Sequence, residues 1–340
     1  MIWGQDRAVE QFAGAWATRK LHHAWLLAGP KGVGKATFAR AASMRVLAEA
    51  AGPPFDLPLL EVPFYPDDLD EHGEPRGHPV ARLVRKGSHP DMRWLERLPN
   101  EKTGNLARNV SVDQVRALGD FMGLTAALSP WRVAVIDSVD DLEKSAANAL
   151  LKMLEEPPAN SLFFLVSHAP GRLLPTIRSR CRRLEFEPLS DDAMTSVLEE
   201  QSPGLDGAER QRVISMSFGS AGRAVAFAEL GLAKLEEAAT AILRQGDPTN
   251  ARRSALASEL GKKAAADRYA AFLDLAPTLI AREARMLQPA PRARALDAYA
   301  KARELAALAP RVSLDAAATV FQMGGILAAV AEGVPSPGRP

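Results

Sequence analysis

The sequence lacks the cysteines that a disulfide framework or a thiolate metal centre requires and the long apolar run that a membrane-spanning helix requires. It has one cysteine in 340 residues, so neither a disulfide nor a four-thiolate zinc site can form within it. Lysine and arginine number 42 against 41 aspartates and glutamates, a formal charge of +1, so no overall basic excess indicates autonomous binding of nucleic acid. Because no run of roughly 18 apolar residues occurs, we expect no membrane-spanning helix.

Aromatic residues are also scarce, at 6%, while hydrophobic residues reach 47% and charged residues 24%, as is typical of a globular protein. The N-terminus reads Met1-Ile2-Trp3-Gly4-Gln5 and lacks a charged leader followed by an apolar run, so we expect no signal peptide and a cytoplasmic protein. The length exceeds the roughly 250–300 residues at which a single core stops growing. We therefore expect two or three domains.

Short apolar runs alternate with helical patterns over the first two-thirds of the chain. The predicted strands are Ala24–Ala28, Asp91–Glu96, Arg132–Ile136 and Leu162–Val166, and the predicted helices between them run from about Lys35 to Ala51, from Val112 to Leu124 and from Leu142 to Glu156. This alternation favours a parallel sheet with helices on both faces.

A proline-rich, acidic segment over residues 52–80 interrupts this alternation. Its prolines and its acidic cluster are Pro53, Pro54, Pro58, Pro63, Pro66, Pro75, Pro79, Asp67, Asp68, Asp70 and Glu71. Prolines at this density exclude long helices and central strands. We therefore expect a surface insertion, whose role the sequence does not reveal.

Helical patterns alone follow Ser190, which is a candidate N-cap before two aspartates. The segment Gly246-Asp247-Pro248-Thr249-Asn250 is a candidate linker. The predicted architecture is an α/β P-loop domain with a parallel sheet over residues 1–188. A small helical lid domain over 189–245 and an all-helical C-terminal domain over 246–340 follow it.

A phosphate-binding loop is predicted directly after the first strand. Its residues are Gly29-Pro30-Lys31-Gly32-Val33-Gly34-Lys35. Glycines at this spacing let backbone N–H groups converge on phosphate oxygens, the following helix N-terminus adds positive potential, and Lys35 reaches the outer phosphates. An ordinary glycine-rich turn is the alternative, and the strand before and helix after the loop argue against it.

Two positions of this site depart from an active ATPase. Ala36 stands where a serine or threonine would ligate Mg²⁺, and Thr37 is rotated by about 100° around the helix from that position. Asp137 ends a strand where an acidic residue would act on the magnesium ion, but Ser138 follows it in place of a water-orienting glutamate. We expect the site to bind nucleotide, ATP or ADP, without turning it over.

Three further stretches resemble the bacterial clamp-loader ATPases of the AAA+ superfamily. They are Asn148-Ala149-Leu150-Leu151-Lys152-Met153-Leu154-Glu155-Glu156-Pro157-Pro158, Leu174-Pro175-Thr176-Ile177-Arg178-Ser179-Arg180-Cys181 and Gly219-Ser220-Ala221-Gly222-Arg223. Gly4-Gln5 matches the segment that closes over the adenine in these proteins. The resemblance is greatest to one type of clamp-loader subunit, as indicated by Ala36, Ser138 and the stretch His168-Ala169-Pro170-Gly171-Arg172. The motifs cover residues 1 to about 230, and the C-terminal domain is assigned by position.

The resemblance implies roles for two arginines. Arg180 matches an arginine that contacts, in trans, the γ-phosphate held by a neighbouring subunit, and Arg223 matches a second nucleotide sensor. With these, the candidate nucleotide-binding residues are Gly29, Lys31, Gly32, Gly34, Lys35, Ala36, Thr37, Asp137 and Arg223. Cys181 is expected to be a small buried residue without redox or metal chemistry.

No metal site is predicted. Several members of the family carry a four-cysteine zinc module after the phosphate-loop helix, whereas residues 52–90 contain no cysteine. His72, His78 and His89 lie scattered over residues 52–90, where solvated or capping roles are the expectation.

The resemblance also implies partners. They are the other clamp-loader subunits (gamma/tau and delta), with which the chain would form a hetero-oligomer. The chain would contact the sliding clamp and primer-template DNA through this complex. The C-terminal domain would be the collar that joins the subunits. The favoured function is a non-hydrolysing subunit that helps load the clamp during replication. An active AAA+ motor ATPase, of the clamp-loader or branch-migration type, and a small-molecule P-loop kinase are the alternatives.

Overall fold

The computed structural model of the protein describes residues 2–53, 55–58, 60–62, 64–69, 75–99 and 107–331, with backbone alone for 64–69 and 75–76. It divides into two compact units. The N-terminal unit comprises residues 1–193 and 219–222, and the C-terminal unit comprises residues 194–218 and 223–340. Within the described part of the chain, no helix is long and apolar enough to cross a membrane.

A parallel sheet forms the centre of the N-terminal unit. Among the described residues it has five strands in the order β4-β5-β6-β1-β7. Their bounds are β1 Ala24–Ala28, β4 Met92–Leu95, β5 Arg132–Asp137, β6 Ser161–Ser167 and β7 Arg182–Glu185. All residues of β1 and β6 are buried, which explains why β1 and the central part of β6, residues 162–166, are continuous apolar runs. The predicted α/β class with a parallel sheet is confirmed.

Helices flank this sheet. They are α1 Asp6–Ala17, α2 Lys35–Ala50, α3 Pro79–Arg85, α4 Val112–Gly123, α5 Lys144–Glu155 and α6 Pro175–Arg178. Phe12 of α1 packs against Trp25 of β1 at 5.2 Å between ring centroids and against Phe38 of α2 at 5.7 Å. Together these rings hold the start of α2, and with it the phosphate loop, against the sheet.

The sequence did not predict β7 or a hairpin in the proline-rich segment. β7 pairs with β1 at the edge of the sheet, and of its residues only Leu184 is buried, so its charged sequence lacks an apolar signal. The hairpin consists of β2 Phe64–Leu69 and β3 Pro75–Gly77, which pair antiparallel outside the main sheet. The expectation that this segment contributes no central strand holds for its described residues.

The C-terminal unit contains helices alone among its described residues. They are α7 Asp191–Gln201, which begins in the N-terminal unit, α8 Gly207–Ser217, α9 Ala221–Glu229, α10 Leu232–Gln245, α11 Ala251–Leu260, α12 Ala266–Met286, α13 Pro289–Arg311 and α14 Ala316–Ala331. Ser190 caps α7 as predicted, because its Oγ accepts a hydrogen bond from Ala193 N at 3.3 Å. The all-helical expectation for this region is confirmed.

The predicted linker at 246–250 is a tight, capped turn. The Asp247 side chain is buried, and its carboxylate accepts hydrogen bonds from the backbone nitrogens of Arg252 at 3.2 Å and Arg253 at 3.0 Å. α10, which precedes this turn, packs against α12 and α14. The division into lid and collar at residue 246 stays a prediction.

Candidate nucleotide-binding site

The phosphate loop, residues 29–35, connects β1 directly to α2. At Gly29 a Cβ atom would lie 2.1 Å from the carbonyl oxygen of Phe186, so only glycine fits there. Gly34 has a φ of +101° at the N-terminus of α2, a left-handed conformation that strains other residues. The backbone therefore turns as a phosphate loop requires, at the carboxyl edge of a parallel sheet where ligands bind.

The Lys35 side chain is folded onto its own loop. It is 2% exposed, and its Nζ donates hydrogen bonds to the carbonyl oxygen of Gly29 at 2.7 Å and to that of Pro30. Burial lowers the pKa of Lys35 to about 8, against the opposing effect of Asp137 and Asp140. A phosphate bound here would have to draw the ammonium away from these carbonyls.

The next two positions give no buried oxygen for a magnesium ion. Ala36 is half-buried, and Thr37 is exposed. The different exposure of the two side chains agrees with the rotation expected from helix geometry. The metal position of the loop therefore carries a methyl group.

The acidic residues at the end of β5 and just after it have different surroundings. Asp137 ends the strand, and burial, followed by repulsion from Glu96, raises the pKa of its carboxyl. Ser138 is buried. Asp140 accepts hydrogen bonds from Ser167 Oγ at 2.8 Å and from the backbone nitrogen of His168.

Asp141 forms an ion pair with Arg97 at 3.2 Å. Both carboxylates that follow Ser138 therefore have partners within the unit.

Two segments distant in sequence are bonded to the phosphate loop. The buried Gln5 side chain donates from Nε2 to the carbonyl oxygens of Val33 at 3.2 Å and Glu187 at 2.8 Å. Ser220 Oγ donates to Lys31 O at 3.0 Å, and Gly222 N donates to Gly32 O at 2.9 Å. The motif resemblance singled out both segments, but the hydrogen bonds to the loop could not be predicted from it.

Arg223 belongs to the C-terminal unit. Its guanidinium lies 5.7 Å from the centroid of the Phe227 ring in the same unit. Its assignment as a nucleotide sensor stays a prediction.

His168 is a candidate site residue that sequence reasoning quoted without assigning it a role. It follows β6, and its backbone is bonded to Asp140. Burial, followed by the charge of Lys35, lowers the pKa of its imidazole. Nδ1 is buried and has no hydrogen-bond partner among the described residues. A polar residue directly after a buried strand at the carboxyl edge of the sheet was the available signal.

Arg180 lies just after α6 and contacts its own unit. Its Nη2 forms an ion pair with Glu155 Oε1 at 2.8 Å, and its Nη1 donates to Thr176 O at 2.9 Å. The side chain is 34% exposed. Arg178, two residues earlier, is also exposed. Arg180 is therefore accessible at the surface while anchored to two helices.

Cys181, the residue after Arg180, is half-buried and packs against the core of the N-terminal unit. Burial raises the pKa of its thiol to about 12, so the thiol stays protonated near neutral pH and is a poor nucleophile and metal ligand. The residue is less deeply buried than the sequence predicted.

The described histidines of residues 52–90 take structural positions. His78 is buried and lies 5.4 Å from the Phe55 ring, and His89 Nδ1 accepts a hydrogen bond from Asp91 N at 3.1 Å. His72 lies outside the described residues. Across the described ranges, no group of three or more histidine, cysteine, aspartate or glutamate side chains could hold a metal ion.

Comparison with known proteins identifies relatives of this chain. A family model described as "DNA polymerase III, delta subunit" matches residues 69–190. The DNA polymerase III subunit delta' of Pseudomonas aeruginosa is 36% identical over 159 residues, which are 47% of this chain and 41% of that protein. The corresponding subunit of Escherichia coli is 34% identical over 160 residues, 45% of this chain and 46% of that protein.

More distant relatives include DNA polymerase III subunit tau of Bacillus subtilis, 29% identical over 57% of this chain and 30% of that protein. A solved DNA polymerase III gamma subunit-related protein of Thermotoga maritima covers 94% of this chain and 98% of its own, at 16% identity and a TM-score of 0.42. The matched part spans less than half the length of the first curated relatives. The family-model match includes Glu155 and Arg180, and over part of its length the chain is similar to DNA polymerase III delta' subunits.

Proposed function

We propose that the chain is the delta-prime-type subunit of a DNA polymerase III clamp loader, one that does not hydrolyse ATP itself. The observation that carries this proposal is the pair Ala36 and Ser138 at the metal and water positions of the phosphate loop site. The engagement of Asp140 and Asp141 by other groups supports it, because neither carboxylate is free to replace the missing base.

The site retains features that suit a bound nucleotide. The loop backbone and Lys35 would hold the phosphates of ATP or ADP, and Gln5 ties the N-terminal segment to the loop. Binding without turnover would let nucleotide stabilise the subunit. We propose that this site has a structural role.

The active contribution of the subunit would come from Arg180. An arginine donated in trans stabilises the charge that develops on a transferring phosphoryl group. The partners would be the gamma/tau and delta subunits, which the C-terminal helices would join in one ring. The complex would then open the sliding clamp and place it on primer-template DNA.

The exchange Arg180→Ala in the assembled complex tests this role. Hydrolysis at the one neighbouring site should fall on the order of 10³-fold or more, while the other sites keep their own arginines, so that total ATP turnover falls only in part. Arg180→Lys should restore little of the hydrolysis at the neighbouring site, because an ammonium lacks the planar two-pronged geometry of a guanidinium.

Arg178→Ala is the matched control, because Arg178 is exposed two residues away and has no ion pair among the described residues. It should leave turnover unchanged. The rival interpretation makes Arg180 a purely structural partner of Glu155. That interpretation would be supported if Arg180→Ala lowered the melting temperature of the isolated chain while the assembled complex kept its full ATP turnover.

A further inference from the structure

The guanidinium of Arg180 is held by two separate elements of its own unit. Glu155 is the last residue of α5, and Thr176 lies in α6. The Glu155 side chain is 47% exposed and its partner Arg180 is 34% exposed. Solvent, and any neighbouring subunit on this face, can therefore reach both members of the ion pair.

This arrangement occupies donors that a phosphate would need. Arginine has five N–H donors in a planar fork, and its strongest contact with phosphate uses two of them side by side. In Arg180, Nη2 is bonded to Glu155, and Nη1 is bonded to Thr176. The carboxylate of Glu155 and an incoming phosphate are thus rivals for the same cation.

We propose that Glu155 is a positioning residue that restrains Arg180 on its own subunit until a neighbour's γ-phosphate displaces the carboxylate. The inference rests on the proposed role of Arg180 in trans. A nucleotide phosphate carries more negative charge than one carboxylate, and an exposed ion pair is weak, so the exchange is reversible. Glu155 raises the nucleotide concentration at which the neighbouring site engages its arginine.

Glu155 takes no part in the reaction itself. In the neighbouring site a water oxygen forms a bond to the γ-phosphorus, the bond from that phosphorus to the bridging oxygen breaks, and ADP leaves with the electron pair. The water proton ends on the phosphate product or in solvent. Arg180 stabilises the developing charge, and Glu155 acts only on the availability of Arg180.

The substitution Glu155→Gln tests the inference in the assembled complex. The share of ATP hydrolysis that depends on Arg180 is obtained by subtraction. The rate of the Arg180→Ala complex is subtracted from the wild-type rate, and the rate of the Glu155→Gln, Arg180→Ala complex is subtracted from the Glu155→Gln rate. For this share we expect Glu155→Gln to lower the KM for ATP about two- to fivefold, the range of an exposed ion pair, and to leave kcat unchanged. Glu156→Gln is the control, because Glu156 is exposed and lacks an ion pair among the described residues.

A double variant separates this effect from a loosened fold. In the Arg180→Ala background the remaining hydrolysis should have the same KM with Glu155 or with glutamine at position 155. An unchanged or raised KM, or a fall in kcat, in the Glu155→Gln complex would overturn the inference even where Arg180→Ala lowers turnover. If Arg180→Ala itself leaves turnover intact, the proposed function fails, and the inference fails with it.

Discussion

At the scale of single residues, Lys35 is a buried cation whose charged form is disfavoured by the fold. Its ammonium is buried, and burial lowers its pKa from 10.5 to about 8. The unfolded chain therefore keeps a proton that the folded chain loses between about pH 8 and 10.5. Because the unfolded state binds more protons there, stability should rise with pH across this window.

The variant Lys35→Met isolates this effect. Relative to the variant, the wild-type protein should gain about 2 kcal/mol of unfolding free energy between about pH 7.5 and 9.5. The measurement is urea unfolding of both proteins at each pH. If the difference in unfolding free energy between the two proteins stays constant with pH, the pKa of Lys35 is not lowered by folding.

Residue chemistry is also where the sequence was most informative. Ala36 and Ser138 are single departures from a well-defined pattern, so the prediction that magnesium ligation and water activation are lost rests on these side chains alone. The bonds of Lys35 to the Gly29 and Pro30 carbonyls could not be predicted in this way, because they depend on the path of the loop in three dimensions. The same holds for the Arg180–Glu155 pair, whose members are 25 positions apart in the sequence.

At the scale of elements, strands were predicted where burial on both faces produces continuous apolar runs. β1, β5 and β6 meet that condition, and their described bounds lie within one residue of the predicted ones. β7 does not, because an edge strand with one buried residue can carry charge along the rest of its length. The β2–β3 hairpin was missed for a related reason, since its prolines argue against any strand.

The connection between β5 and β6 depends on Asp140. Its carboxylate accepts from Ser167 Oγ and from the backbone nitrogen of His168 at the end of β6. Asp140→Ala would leave the buried Ser167 hydroxyl and this backbone nitrogen without their acceptor, which should cost about 1–3 kcal/mol of unfolding free energy. Chemical denaturation measures the loss.

Asp141→Ala serves as the comparison, because it removes only a half-exposed ion pair with Arg97. The expected cost is below about 1 kcal/mol. Equal losses in the two variants would contradict the role assigned to Asp140 in fixing the end of β6.

At the scale of the whole molecule, the helical region after residue 223 was predicted by class but not by its internal packing. The turn at 246–250 has the composition of a linker, yet Asp247 caps α11 within it. α10 packs on α12 and α14, and such long-range packing leaves no local signal in the sequence. A truncation meant to remove the proposed collar should therefore end the chain before α10, at Gly231.

Truncation at Gly231 should abolish joining to the other clamp-loader subunits, because it removes α10 to α14 together. The chain that remains keeps the whole N-terminal unit and should stay folded by circular dichroism. Co-elution on size exclusion with the other subunits is the measurement. A truncated chain that still co-elutes in stoichiometric amount would show that assembly does not depend on the C-terminal helices.

The proposed lack of ATP hydrolysis rests on two separate deficits, at Ala36 and at Ser138, so restoring them one at a time is the most direct test. Ala36→Ser returns a ligand for magnesium, and Ser138→Glu returns a base for water, but each leaves the other requirement unmet. The measurement is phosphate release from ATP by the purified chain and by each single variant, with magnesium and with or without primed DNA. All three proteins should show no turnover above background, and robust hydrolysis by the wild-type chain alone would contradict the account and identify an active motor.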